Sequence, residues 1–276
     1  MIGNGTSLVL YLFLSMAVTF FLTPRFITLM LQRDNNFTTI NYEGKKIVTA
    51  GGIVLLPAVL LFIYYYANNF SSPMVLLIFL VGLVVLGLMD DLQGDKGCKG
   101  FRGHLGLLLR DKKISTGLLK AVGGFALALF VAGIGDISNI EWLVKAIFLA
   151  LFANLFNLLD TRPAMAIKAF YIISLIFMLL GMGNLIFLFL WVSLYAYLPW
   201  ELSRKIMLGD TGAYLLGGTL GYHAMISFDP PFIYSVLIPL ILLHILLEKY
   251  SMSKFLEDGR LPLLWRYGSS PKGGNN

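Results

Sequence analysis

Hydrophobic positions run along this chain in long blocks rather than alternating or recurring at amphipathic spacing. Residues 47–89 and 169–200 contain no charged side chain at all. About 20 apolar residues cross a bilayer, so each block has room for two spans. Inside lipid the backbone must satisfy its own hydrogen bonds, which makes such blocks helices. The pattern predicts spans near 7–31, 47–67, 73–90, 115–134, 141–159, 164–180, 183–199, 211–227 and 231–248. Turn signals separate them: Asn68-Asn69 with Ser71-Ser72-Pro73, Gly133 to Asn139, Gly181 to Asn184, and Asp229-Pro230-Pro231. The expected fold is an all-α polytopic membrane protein of about nine transmembrane helices. Residues 1–268 are expected to form a single transmembrane domain, and the small polar tail 269–276 to be disordered.

Composition agrees. Of the 276 residues, 58% are hydrophobic and 13% charged, about half the charged share of a soluble domain. The net charge of +6 does not signal nucleic acid, because the cations are spread over short loops between apolar runs. They instead report orientation. With the N-terminus outside and loop 91–114 inside, 20 of the 21 Lys and Arg lie at or near inner ends, Lys145 being the exception. The inner loops are then 32–46, 91–114, 160–163, 200–210 and 249–276, and the C-terminus is cytoplasmic. No Lys or Arg precedes Arg25, so the first segment is read as a retained helix. The single cysteine, Cys98, excludes an internal disulfide and reads as a free thiol.

Three acidic sites fall on that inner side. Asp90 and Asp91 end the third span. Paired carboxylates at a helix C-terminus repel each other and oppose the helix dipole, so they require a cation or a basic group. Neighbours on a helix point about 100° apart, which gives the two different partners. Asn154, Asn157 and Asp160 end the fifth span at spacings of three, along one stripe. Their oxygens suit a hard cation, a nucleotide and its phosphates, or the joining of helices. Gly209-Asp210-Thr211-Gly212 opens the eighth span. There Asp210 or Thr211 could cap the helix, and the free amides make an anion site. Gly217 and Gly221 have the spacing of close helix packing. Among the cations, Lys45, Lys46 and Lys120 are the candidate substrate contacts; topology and anionic headgroups account for most of the rest, including those of loop 91–114. His104, His223 and His244 have no metal-ligand spacing.

Taken in order, Asp90-Asp91, Asn154-x-x-Asn157-x-x-Asp160 and Gly209-Asp210-Thr211-Gly resemble the motifs of the polyprenyl-phosphate N-acetylhexosamine-1-phosphate transferases. This superfamily includes phospho-N-acetylmuramoyl-pentapeptide transferase, of peptidoglycan synthesis, and the enzymes that start teichoic acid and O-antigen synthesis. The resemblance runs from Gly51-Gly52 to the eighth span. It implies transfer of a sugar-1-phosphate from a UDP-N-acetylhexosamine to polyprenyl phosphate, with release of UMP. It implies Mg²⁺ on Asp210 and Asn157, catalytic roles for Asp90, Asp91 and Asp210, and nucleotide or metal-water contact by Asp160. Lys45 and Lys120 match the family's phosphate-binding lysines, and Lys46 and Asn154 join the substrate-binding set. The implied partners are polyprenyl phosphate, a UDP-sugar and membrane lipids, without nucleic acid; a homodimer is an allowed assembly. The implied location is the bacterial cytoplasmic membrane.

Two departures stand out. Many relatives continue Asp-Gly-x-Asp-Gly after the second motif, whereas this chain has Asp160-Thr161-Arg162-Pro163. Arg162 is then a candidate phosphate ligand. Residues 249–276 lack the histidine-rich motif of the pentapeptide enzymes, which argues against that substrate; Arg260 and Arg266 are the stand-ins. Two alternatives belong to other classes. A transporter would keep its ionisable residues near the midplane, and these lie at the edge. A non-catalytic scaffold or regulator of envelope synthesis is the remaining alternative.

Overall fold

The computed structural model describes residues 2–33, 36–40, 44–66, 73–93, 115–134 and 140–249. Cys98, His104 and the other residues of 94–114, with Arg260, Arg266 and the 269–276 tail, lie outside them. Among the described residues there are nine α-helices: α1 (Ile2–Gln32), α2 (Leu56–Tyr66), α3 (Pro73–Gln93), α4 (Thr116–Ala132), α5 (Glu141–Leu159), α6 (Met165–Leu179), α7 (Leu185–Leu202), α8 (Gly209–Ser227) and α9 (Pro230–Lys249). One helix corresponds to each apolar segment. Local chemistry sets several starts. The Ser115 hydroxyl accepts from the Leu118 amide at 3.3 Å, and Asn184 Oδ1 accepts from the Ile186 amide at 3.2 Å. Pro230 opens α9 at a position where its missing N–H costs nothing.

Four of these helices, over Ser7–Gln32, Pro73–Gln93, Glu141–Leu159 and Leu185–Leu202, are long and apolar enough to cross a membrane. Phe13, Phe20, Phe21, Leu179 and Ile238 are exposed on the outside of the bundle. An apolar exterior of that kind suits lipid rather than water.

The segment 47–67 departs from expectation. Its first part is not helical. Thr38–Ile40 (β1) and Lys46–Val48 (β2) form an antiparallel hairpin in which Thr39 faces Ile47. Val48 also bridges Ile206 in parallel. Gly51–Leu55 is a 3₁₀ turn, and α2 begins only at Leu56. The all-α class stands, with this two-stranded hairpin as a local addition and the start of the 47–67 span corrected to Leu56. Two β-branched residues flanked by charge and a turn are enough for a short strand when another segment offers its backbone. Segment 205–208 does so. Its Lys205, Met207 and Leu208 carbonyls accept from the Val48, Gly51 and Gly52 amides at 2.9–3.2 Å, and the Met207 amide donates to Val48 at 2.9 Å.

Helix α8 is the axis of the bundle. Of its 19 residues, 16 are buried, and α3, α5, α6 and the 3₁₀ turn pack around it. Such an encased helix needs small residues. Gly217 and Gly221 face α5: added Cβ atoms would lie 2.7 Å from the Ala153 carbonyl oxygen and 3.1 Å from Phe152 Cβ. Gly52 meets the backbone of Gly212 even more closely. At Gly87 of α3 an added Cβ would lie 2.7 Å from the carbonyl carbon and oxygen of Asp210. Gly87→Ala must therefore push α3 off α8, and about 1–3 kcal/mol of destabilisation is expected. Gly124→Ala is the control, because its Cβ would meet only Leu83 at 4.0 Å. Thermal unfolding in detergent should show a lowered Tm for the first and an unchanged or raised one for the second.

Candidate active site

The sequence motifs meet at one end of the bundle, around the first turn of α8. Asp91 projects from the last turn of α3. Its Oδ2 accepts from the Thr211 amide at 3.0 Å and the Thr211 hydroxyl at 2.6 Å; its Oδ1 accepts from the Asp210 amide at 3.1 Å and the Thr49 hydroxyl at 3.2 Å. The carboxylate thus caps α8 from another helix and answers the N-terminal end of its dipole. Neither Asp210 nor Thr211 supplies that cap, as the sequence had suggested. Gly209 makes the approach fit: its φ of 69° is left-handed, and a Cβ there would lie 2.6 Å from Asp91 Oδ2. Both oxygens of Asp91 are engaged, three of their four bonds holding the first turn of α8.

Asp90 has different partners. Lys120, one turn into α4, donates to Asp90 Oδ2 at 2.8 Å and also pairs with Asp210 Oδ2. The ammonium therefore sits between two carboxylates from two other helices. Its exposure is 11%, against 21% and 24% for the two acids, so the pairs are largely shielded yet reachable from outside. Lys120 also lies 5.4 Å from the centroid of the Tyr214 ring. The Tyr214 hydroxyl donates to Asn154 Oδ1 at 2.8 Å, which ties the stripe on α5 into the same network. Asn157 is one turn further along that stripe.

Asp160 is the C-cap position of α5. The Gly209 amide points at its carboxylate. The first three amides of α8 are thus each met by a carboxylate, one by Asp160 and two by Asp91. Burial, and then the nearby Glu201, Asp210 and Asp91 charges, push the Asp160 carboxyl well above the usual carboxylate range, against the pull of that amide. Arg162 is half-buried in the turn that follows, and Lys45 and Lys46 are exposed on the hairpin. The structure joins Asp90, Asp91, Lys120, Asn154, Asp160 and Asp210 by contacts; Lys45, Lys46, Arg162 and Asn157 are related to them by placement.

Among the described residues the non-glycine positions with positive φ are Ala50, Ala164 and Arg204, at 58°, 63° and 58°. Each adjoins this end of the bundle: Ala50 precedes Gly51-Gly52, Ala164 closes the turn after Asp160, and Arg204 opens the segment leading to Gly209. Left-handed backbone costs about 1 kcal/mol or more per residue, and such strain gathers at functional sites.

Among the described residues no three His, Cys, Asp or Glu side chains form a ready metal cage. Mg²⁺ does not need one, because it commonly rests on one or two carboxylates, water and substrate phosphates. The donors here are oxygens, as that ion requires. Asp210 is the acid of α8 and reaches solvent at the otherwise buried N-terminal turn. The residues fit the ion.

One buried acid was not singled out from sequence. Glu201 is 2% exposed, and its Oε1 accepts from the Ala164 amide at 2.7 Å. Its signal was present, an acid set between Trp200 and Leu202 at the end of a charge-free block, but it fell in a loop read as basic.

The chain matches no protein-family model, and no curated protein matches it significantly.

Proposed function

We propose that this chain is a polytopic membrane phosphoglycosyl transferase, moving a sugar-1-phosphate from a UDP-N-acetylhexosamine to polyprenyl phosphate. In this reading all nine helices span or enter the membrane. The N-terminus lies outside, and the α8 end of the bundle faces the cytoplasm, where a soluble nucleotide can meet a lipid headgroup. The observation that carries the reading is the Lys120 ammonium held between Asp90 and Asp210 at the mouth of α8. Phosphoryl transfer asks for charge stabilisation and positioning more than for covalent chemistry. A partly exposed set of opposite charges on three helices is suited to both.

The reaction joins an oxygen of the lipid phosphate to the β-phosphorus of the nucleotide sugar. The bond from that phosphorus to the bridging oxygen breaks, and UMP leaves with the electron pair. The acceptor is already an anion, so no strong base is required. Asp90 orients it, and Lys120 attracts the phosphate oxygens that crowd there during transfer. Asp210, with Asn157, would hold Mg²⁺. When bound, the ion neutralises the diphosphate and the departing UMP. Asp160 and Arg162 face the nucleotide, with Asn154 fixed by Tyr214 behind them. Lys45 and Lys46 add phosphate contacts from the hairpin. Asp91 keeps α8 aimed at the site.

Purified protein in detergent is expected to release UMP from a UDP-N-acetylhexosamine only when both Mg²⁺ and undecaprenyl phosphate are present. A coupled UMP assay with each component omitted in turn checks this. Release without the lipid acceptor would mark a hydrolase instead. No release at all would favour a non-catalytic scaffold in envelope synthesis.

A further inference from the structure

We propose that Thr49 is a positioning residue that ties the hairpin bearing Lys45 and Lys46 to the carboxylate capping α8, and so sets where those lysines stand relative to Asp210. The proposal rests on the transferase reading for what the lysines and Asp210 do, not for how they are held.

Thr49 follows β2 directly and is 4% exposed. Its backbone amide donates to the Phe37 carbonyl at 2.9 Å, which closes the hairpin against the residue before β1. Its hydroxyl donates to Asp91 Oδ1 at 3.2 Å. The same oxygen accepts from the Asp210 amide at 3.1 Å. One carboxylate oxygen on α3 therefore stands between the hairpin and the backbone of Asp210. The residues that follow Thr49 keep close to the first turn of α8. A Cβ on Gly209 would lie 3.0 Å from the Ala50 nitrogen, and Gly52 meets Gly212 backbone to backbone. Close packing sets how far apart two segments lie, but it lets one slide along the other. A hydrogen bond to one particular oxygen is directional and fixes the register.

Packing does not account for a hydroxyl here. Val48 and Ala50 on either side are fully buried and apolar, and valine would fill the same volume as Thr49. A buried hydroxyl is unfavourable unless it is bonded. This one donates to a charged acceptor, the stronger kind of partner. Thr49 is too buried to touch a ligand, so its influence passes through the hairpin and Asp91.

The test compares Thr49→Val, Thr49→Ser and wild type, each with Lys45 and Lys46 present and with both changed to alanine. In steady-state transfer with the lysines present, Thr49→Val is expected to lower kcat/KM about tenfold, the scale of one hydrogen bond to a charged group. Thr49→Ser keeps the hydroxyl and should stay within about twofold of wild type. With both lysines removed, the loss in Thr49→Val should shrink to about twofold or less, because the hairpin then has no phosphate contact to place. Hydrogen exchange of the intact protein in detergent gives a second readout that needs no activity. Thr49→Val should speed exchange in peptides covering 44–50, and Thr49→Ser should not. A loss that persists in full without the lysines would overturn the proposal, since Thr49 would then act on α8 or on the fold at large. So would wild-type kinetics in folded Thr49→Val, an equal loss in Thr49→Ser, or unchanged exchange in Thr49→Val. If wild type itself shows no transfer, the transferase reading fails, and the exchange data alone decide whether Thr49 holds the hairpin. If Thr49→Val does not fold, Thr49→Ala takes its place in both measurements.

Discussion

Asp210→Asn is expected to lower UMP release by about a thousandfold, the loss seen when one preorganised electrostatic group is removed from a reacting centre. The substitution keeps shape and the helical backbone, so the capping bonds from the Asp210 and Thr211 amides to Asp91 remain. It removes the negative charge that pairs with Lys120 and would hold the cation. The amide is a poor ligand for Mg²⁺ compared with a carboxylate. Thermal stability should fall less than in a variant lacking Lys120, because Lys120 keeps its pair with Asp90, while activity drops about a thousandfold. Retained folding with more than a tenth of wild-type turnover would move the metal role to another acid.

Lys120→Met is expected to damage both stability and activity. Asp90 and Asp210 would face each other without the ammonium that separates them, at exposures of 21% and 24%. Breaking a shielded ion pair by deleting one partner costs about 3 kcal/mol, chiefly through the charge left unpaired. A lowered Tm should thus accompany loss of transfer. Part of the loss should be recovered in Lys120→Met combined with Asp90→Asn, which removes one of the stranded charges; the double variant is expected to unfold at a higher temperature than the single one and to remain inactive. Lys120→Arg should not restore activity, since a planar guanidinium cannot occupy the place of a compact ammonium between two carboxylates and above the Tyr214 ring. If Lys120→Met were as stable as wild type, the pairing would be an exposed contact of little weight.

The helices were legible because apolar length is a direct signal, and each of the nine apolar blocks contains one helix among the described residues. The three motifs were legible as polar groups near block ends. Lost to the sequence were features that depend on partners far along the chain. The Lys46–Val48 strand exists because segment 205–208 offers it a backbone. An apolar run beginning Ile47-Val48 reads as the start of a span when that partner is unknown. The cap on α8 comes from Asp91, 119 residues before Asp210, so capping rules applied locally pointed to the wrong residues. That same bond separates the two neighbouring acids: Asp90 faces Lys120 and Asp91 serves the helix. Spacing on α3 required different partners for them but could not say which acid had which. Glu201 was missed because its meaning lies in the Ala164 amide, 37 residues away.

The most direct measurement is the stoichiometry of transfer. Folded wild-type protein would be incubated with Mg²⁺, undecaprenyl phosphate and, side by side, UDP-GlcNAc, UDP-GalNAc and UDP-MurNAc-pentapeptide. UMP would be quantified, and the lipid extract examined by mass spectrometry. The account predicts one polyprenyl-diphospho-sugar for each UMP, from an N-acetylhexosamine donor and not from the pentapeptide. UMP absent with every donor, in the presence of intact acceptor and folded protein, would contradict it.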